Sequence, residues 1–186
     1  MGKVKILVII DTQNDFIDGS LRNEEAIKVV PNIVKKINDF KGDYIFVTRD
    51  SHTQDYLNTN EGKILPVEHC ICGTDGWMIN SEVAKALHKK DLQEECLVLY
   101  FDKPTFGSFE LMNAFSKYIG KNEGEIEFVG FCTDICVVSN VLITKANCYD
   151  NAVITVDASC CAGVTPESHK AALLTMKMCQ INVINE

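Results

Sequence analysis

Three residues of complementary chemistry follow three apolar runs of this chain. Asp11 comes directly after Val4–Ile10 (VKILVII), Lys103 shortly after Cys96–Tyr100 (CLVLY), and Cys136 shortly after Ile126–Gly130 (IEFVG), inside GFCTDICVVSN. A thiol becomes a nucleophile when it loses its proton, and a carboxylate can take that proton and return it to a leaving amine. An ammonium beside both would stabilise the thiolate and orient the acid. The first turn of a helix adds partial positive charge that favours thiolate, and free N–H groups that can hold an oxyanion. Each residue also has an ordinary structural reading: a buried helical thiol, a cap on the next loop, a solvated loop lysine. Asp15 and Asp18 suit the capping role better than Asp11 does.

A second set combines carboxylate and imidazole. Asp50-x-His52 follows the run Tyr44–Thr48 (YIFVT), and His69 lies in the long segment beyond it, with Glu61 between them. This donor mix suits a borderline divalent ion, Zn, Fe or Mn, with positions left open for water or substrate. The structural alternative is a pair of exposed loop histidines.

The elements that must carry these residues can be read from periodicity. Apolar runs of strand length alternate with stretches of helical spacing. The strands are Val4–Ile10, Tyr44–Thr48, Cys96–Tyr100, Ile126–Gly130, Ala152–Val156 and Ile181–Ile184. The helices are 24–40, 82–88 with Ser81 as cap, 108–118, 134–149, and 166–178 with proline in its first turn. Such alternation predicts a three-layer α/β/α fold, a doubly wound and mainly parallel six-stranded sheet in a single domain over 1–186. The segment 50–80 is too long for a bland connection and reads as functional. In an open α/β sheet, ligands bind at the carboxyl ends of the strands. Four of these strands are followed by reactive side chains, and that convergence is the main signal.

Composition sets the bounds. With 186 residues, 46% hydrophobic and 24% charged, the chain can bury a core. A formal charge of -8 argues against nucleic acid or an anionic membrane as a partner, though not against a small anionic substrate. The first apolar run is too short to span a bilayer, no cleavage site follows it, and Ile6 breaks the myristoylation pattern, so a cytoplasmic location is expected. Nine scattered cysteines fit a reducing compartment better than a disulfide framework. Most read as small buried hydrophobes. A redox pair of Cys132 and Cys136 is disfavoured because their spacing is not CxxC.

With these residues in view, the chain resembles the isochorismatase-like cysteine hydrolases along essentially its whole length. DTQNDF (Asp11–Phe16), FDKPTFGSF (Phe101–Phe109) and GFCTDICV (Gly130–Val137) look like that family's acid, lysine and nucleophile motifs, in the family's order. The resemblance implies Asp11, Lys103 and Cys136 as catalytic triad. It implies a cis peptide before Cys132, and an oxyanion hole from the N–H groups of Cys132 and Cys136. It points to amide or carbamoyl hydrolysis of a small molecule. Asp50-x-His52, followed by LPVEHCICGTDG with His69, looks like the nicotinamidase arrangement, in which a metal, zinc first, binds the pyridine nitrogen; Glu61, between them in sequence, is a further candidate ligand. Relatives are commonly oligomeric, so a homo-oligomer is an open expectation.

The chain departs from nicotinamidases at Ser51, where an aromatic residue is usual, and at Thr53, where proline is usual. An aromatic slot for substrate is expected from Phe16, Trp77 or Tyr56, with Thr133 as a further contact. Two other functions remain open at this level: a metal-free carbamoyl amidohydrolase of the N-carbamoylsarcosine or ureidoacrylate type, and a non-catalytic α/β ligand-binding protein.

Overall fold

In the computed structural model, residues 2–93, 96–148 and 151–186 are described. Six strands form one sheet: β1 (Lys3–Ile10), β2 (Tyr44–Asp50), β3 (Leu97–Lys103), β4 (Glu123–Phe131), β5 (Ala152–Ala162) and β6 (Asn182–Ile184). Their order is β3-β2-β1-β4-β5-β6, and every pairing is parallel. The chain winds outward from β1 to β3, then crosses back to β4 on the other side of β1. A crevice therefore opens between the carboxyl ends of β1 and β4, where ligands bind in such sheets.

Among the described residues seven α-helices accompany the sheet: α1 (Asn14–Ile17), α2 (Glu24–Asp39), α3 (Asn60–Ile64), α4 (Ser81–Leu92), α5 (Phe109–Ile119), α6 (Val138–Asn147) and α7 (Pro166–Met178). β1 is apolar and buried from Ile6 to Ile10, where both its faces are covered. Ile6, Val8 and Ile10 pack with Leu111 and Phe115 of α5, Val141 of α6 and Leu173 of α7. Leu7 and Ile9 point the other way, to Val30, Ile33 and Ile37 of α2 and Val83 and Leu87 of α4. The alternation of β side chains thus splits the core into two layers.

Several boundaries differ from the sequence reading, each for a physical reason. β2 and β3 run on to Asp50 and Lys103, because polar residues at a strand's end still pair: Arg49 faces Asp102 and Asp50 faces Lys103 in register. The cap of α4 is Asn80, whose side chain accepts from the Glu82 N–H, rather than Ser81. The helix expected from 134 begins with a wide π-type turn over Thr133–Val137 before α6; its expected end at Tyr149 lies outside the described residues. Among the described residues no helix is long and apolar enough to cross a membrane.

Candidate active site

Asp11 leaves β1 with φ +46, a left-handed turn that a carboxylate-bearing residue tolerates better than most. Its N–H donates to the Thr48 carbonyl (3.2 Å), and the Thr48 hydroxyl donates to Asp11 Oδ1 (2.7 Å). The other oxygen, Oδ2, faces Lys103 Nζ at 2.7 Å. Lys103 Nζ also donates to Cys136 Sγ (3.4 Å) and lies 3.5 Å from Asp50 Oδ1. Asp11, Lys103 and Cys136 are all buried. The structure therefore brings together three residues from the ends of three strands, with the ammonium between the carboxylate and the thiol.

Gly130 makes this approach feasible. Its φ is +118, and a Cβ there would sit 2.1 Å from the Ile10 carbonyl oxygen. The register against β5 shifts at this point, and the Phe131–Cys132 peptide that follows is cis. The Val137 N–H then reaches the Cys132 carbonyl (3.0 Å), closing the turn that holds Cys136. Single π-type turns of this kind are frequent at functional sites.

Electrostatics departs from the expectation of an acidic thiol. Burial pushes Cys136 well above the ordinary thiol range; Lys103 works against this, while Asp11 and Asp50 add to it. Burial also raises Asp11, against the pull of Lys103. Burial alone would lower Lys103, but the charges of Asp11, Cys136 and Asp50 reverse the sign and hold it firmly protonated. Burial thus disfavours charge on both the thiol and the carboxyl, while Lys103 favours it on either. Moving the proton from sulfur to Asp11 leaves the net charge unchanged and leaves Lys103 beside the anion in either state. The thiolate is reached by an exchange within the group, not by an independently low pKa.

Beside the triad, Asp50, His52, Glu61 and His69 place one ligand atom each within 4.8 Å of one another. His52 Nε2 lies 3.0 Å from Asp50 Oδ2, His69 Nε2 lies 3.6 Å from the same oxygen, and both imidazoles are 3.8 Å from Glu61 Oε1. Metal–ligand bonds of 2.0–2.2 Å in a tetrahedron imply edges of about 3.4 Å, which these separations bracket. His69 Nδ1 sits 2.9 Å from the Val67 carbonyl, an anchoring contact that leaves Nε2 toward the cluster. Burial would raise Asp50, yet His52, His69 and Lys103 outweigh it and hold its carboxyl well below the usual range. The four residues fit a divalent cation.

One cavity of about 1110 Å3 joins the two clusters; Cys136, Cys132, Asp50, His69, Glu61 and Phe16 are in its wall. Of the residues expected to touch substrate, Phe16 alone is there. Trp77 is engaged elsewhere: Arg49 stacks 3.9 Å from its ring, and its indole N–H donates to Ser51 Oγ (2.8 Å). Thr133 is fully buried, its hydroxyl 2.8 Å from His169 Nδ1. Tyr56 is buried against both imidazoles and donates to the Leu65 carbonyl. Asp15 takes the structural role expected of it, accepting from the Cys70 and Ser20 N–H groups.

Two supporting residues escaped the sequence reading. Thr48 orients Asp11, as described. Gln13, fully buried, donates to the carbonyls of Asp50 (2.8 Å) and Trp77 (2.9 Å) and accepts from the Asp50 N–H (2.7 Å). It ties the segment after β1 to the end of β2. Its place inside DTQNDF was the available signal.

Comparison with known proteins gives a consistent result. A family model described as the isochorismatase domain matches residues 5–185. The crystal structure of a nicotinamidase/pyrazinamidase from Bacillus subtilis superposes with a TM-score of 0.81 at 28% identity, covering 98% of this chain and 100% of the other. A nicotinamidase of Schizosaccharomyces pombe is 27% identical over 97% of this chain and 92% of its own length. An Arabidopsis thaliana protein named as a probable inactive nicotinamidase is 27% identical over 92% of this chain and 87% of its own length.

Proposed function

Since the chain belongs to the isochorismatase domain family, we propose that it is a cysteine-dependent amidohydrolase, converting a small carboxamide, nicotinamide first among candidates, to the carboxylate and ammonia. The observation that carries this reading is the position of Lys103 Nζ, 2.7 Å from Asp11 Oδ2 and 3.4 Å from the Sγ of Cys136, which itself lines the cavity.

Asp11 takes the Cys136 proton while Lys103 holds the resulting charge. The thiolate attacks the amide carbon, and the N–H groups of Cys132 and Cys136 receive the oxyanion. Asp11 returns its proton to nitrogen as the C–N bond breaks, releasing ammonia and leaving a thioester. Asp11, again a carboxylate, then takes a proton from water as it attacks the thioester, and the acid and the free thiol are restored. Phe16 lies where its ring can pack on an aromatic substrate. Asp50, His52, His69 and Glu61 would hold a divalent cation, zinc first by donor set, which when bound supplies a Lewis-acid contact that orients the substrate.

The test is ammonia release from nicotinamide by zinc-replete protein, compared with Cys136→Ala and with chelated protein. Turnover abolished by Cys136→Ala and reduced by chelation is expected. Wild-type rates in Cys136→Ala would refute the mechanism. Full activity after verified metal removal would instead favour the metal-free carbamoyl hydrolase reading. A protein that binds nicotinamide without turnover would be a ligand-binding relative.

A further inference from the structure

The cavity is large for the substrate just named. At about 1110 Å3 it matches or exceeds the roughly 300–1,000 Å3 of pockets that enclose drug-sized ligands. A carboxamide on one six-membered ring leaves most of it unfilled.

Its outer wall is apolar and exposed. Ile64 (86% exposed) and Leu65 (37%) come from the end of α3, Phe106 (44%) from the connection after β3, and Val164 (57%) from the connection after β5. None of the four packs into either layer of the core. Single exposed apolar residues need no explanation. Four from three separate connections, converging on the cavity that holds the nucleophile, are a different matter.

The backbones beneath these side chains are fixed. The Tyr56 hydroxyl donates to the Leu65 carbonyl (3.0 Å), Asn140 donates to the Phe106 carbonyl (2.9 Å), and the Val164 N–H donates to the Asp134 carboxylate (3.1 Å). The rim is thus held in shape before anything covers it, which lowers the ordering cost of binding. Charge narrows the occupant further. Glu24, Glu25 and Glu61 line the same cavity, and Arg22 is already paired with Glu24 (2.9 Å). Glu25 is likewise paired with Lys28 (2.7 Å), so neither cation is left to hold an anionic extension.

We propose that the site takes neutral carboxamides whose acyl group carries an apolar extension of several carbons, seated on Ile64, Leu65, Phe106 and Val164 while the carboxamide meets Cys136. The inference rests on the amidohydrolase reading. It names the substrate class of that same site: extended aromatic carboxamides in preference to the bare ring.

The test uses nicotinamide and its methyl, propyl and pentyl derivatives at ring positions 5 and 6. The quantity read is kcat/KM for each derivative relative to nicotinamide. Transfer of a methylene out of water predicts a gain of about two- to fourfold per carbon at one ring position at least. Ile64→Ser and Leu65→Ser should flatten that gain. A ratio at or below one at both positions overturns the proposal, as does a gain that neither substitution reduces. If no amide is turned over, the hydrolase reading fails, and Kd ratios for the same series on Cys136→Ala protein still decide this inference. A Kd falling with chain length, and doing so less in the double variant with Ile64→Ser, upholds it. Unchanged or absent binding overturns it.

Discussion

Asp50 and Lys103 are register partners at the carboxyl ends of β2 and β3, and the Asp50 carboxylate faces both clusters: Oδ1 lies 3.5 Å from Lys103 Nζ, while Oδ2 lies within 3.6 Å of both imidazoles. The triad and the candidate cation site therefore share one carboxylate. Two strands that pair by backbone hydrogen bonds set that spacing, so it is as rigid as the sheet. A cation drawing charge from Oδ2 would weaken the hold of Oδ1 on Lys103 and leave more of the ammonium to Asp11 and Cys136.

Asp11→Asn should separate thiol reactivity from turnover. Asp11 raises the Cys136 pKa and Lys103 lowers it, so removing the carboxylate leaves Lys103 to favour the thiolate. Alkylation of Cys136 by iodoacetamide, followed by peptide mass analysis, should shift to lower pH. Amide turnover should fall by about 10²–10⁴, because no acid remains for the leaving amine. Alkylation moving to higher pH would contradict the charge exchange described above.

Gln13→Leu should weaken cation binding without touching a ligand. The substitution removes two hydrogen bonds to Asp50 and one to Trp77, leaving buried backbone groups unpaired. Loss of such supporting contacts typically lowers metal affinity by about 10–100-fold. Unpaired buried groups cost roughly 1–3 kcal/mol each, so stability should fall as well. Zinc competition against a chromophoric chelator reads the first effect. An unchanged affinity in folded protein would leave Gln13 a structural residue only.

The strand-end chemistry was legible in the sequence because a buried strand announces its own end. The apolar run VKILVII stops at Asp11, and that boundary is the carboxyl edge of the sheet. Asp50 and His52 were legible as donors for the same reason and His69 by its residue type in the long segment, and their convergence with Glu61 follows from how 50–80 folds back, His52 bridging Ile71. Trp77 was not legible. An aromatic residue in a loop near a site carries no sign of which way its ring turns, and Arg49 and Ser51 claim it from the neighbouring strand. The π-type turn at Cys136 was hidden too, since helical spacing looks alike whether a turn closes at four residues or five. Asn80 and Ser81 are adjacent capping residues, and only the observed bond to Glu82 separates them. The apolar rim is invisible in sequence, because exposure at Ile64 and Val164 depends on what fails to cover them.

Gly130→Ala tests the backbone geometry under the nucleophile. The added Cβ would overlap the Ile10 carbonyl oxygen in the strand beside it, at a φ that L side chains rarely adopt. Strain of about 1–3 kcal/mol accompanies such a conformation even without overlap. Urea denaturation should show a loss of about 3 kcal/mol or more, or no folded protein at all. An unfolding free energy within about 0.5 kcal/mol of wild type, the scatter of neutral surface changes, would show that β4 can relax and that glycine is not required.

Asp157 gives a pH prediction independent of catalysis. Its buried carboxylate on β5 meets Lys36 Nζ of α2 at 2.7 Å and accepts from the Ser159 hydroxyl (2.7 Å) and from Asn185 (3.1 Å). Burial works to raise this carboxyl, but Lys36, Ser159 and Asn185 outweigh it and hold it below its ordinary value of 3.8. A group depressed in the folded state binds its proton more weakly there than in the unfolded chain. Its contribution to stability is therefore complete above pH 3.8 and is lost as pH falls through the lower folded value. Asp157→Asn should remove that contribution. Lys36 keeps Glu127 as a partner at 2.7 Å, so the loss at pH 7 should be about 1–3 kcal/mol, not the larger penalty of a stranded buried charge. Urea midpoints from pH 3 to 7 check this. The wild type and the variant should differ most at pH 7 and converge toward pH 3, and a constant difference across the range would assign the effect to lost packing instead of charge.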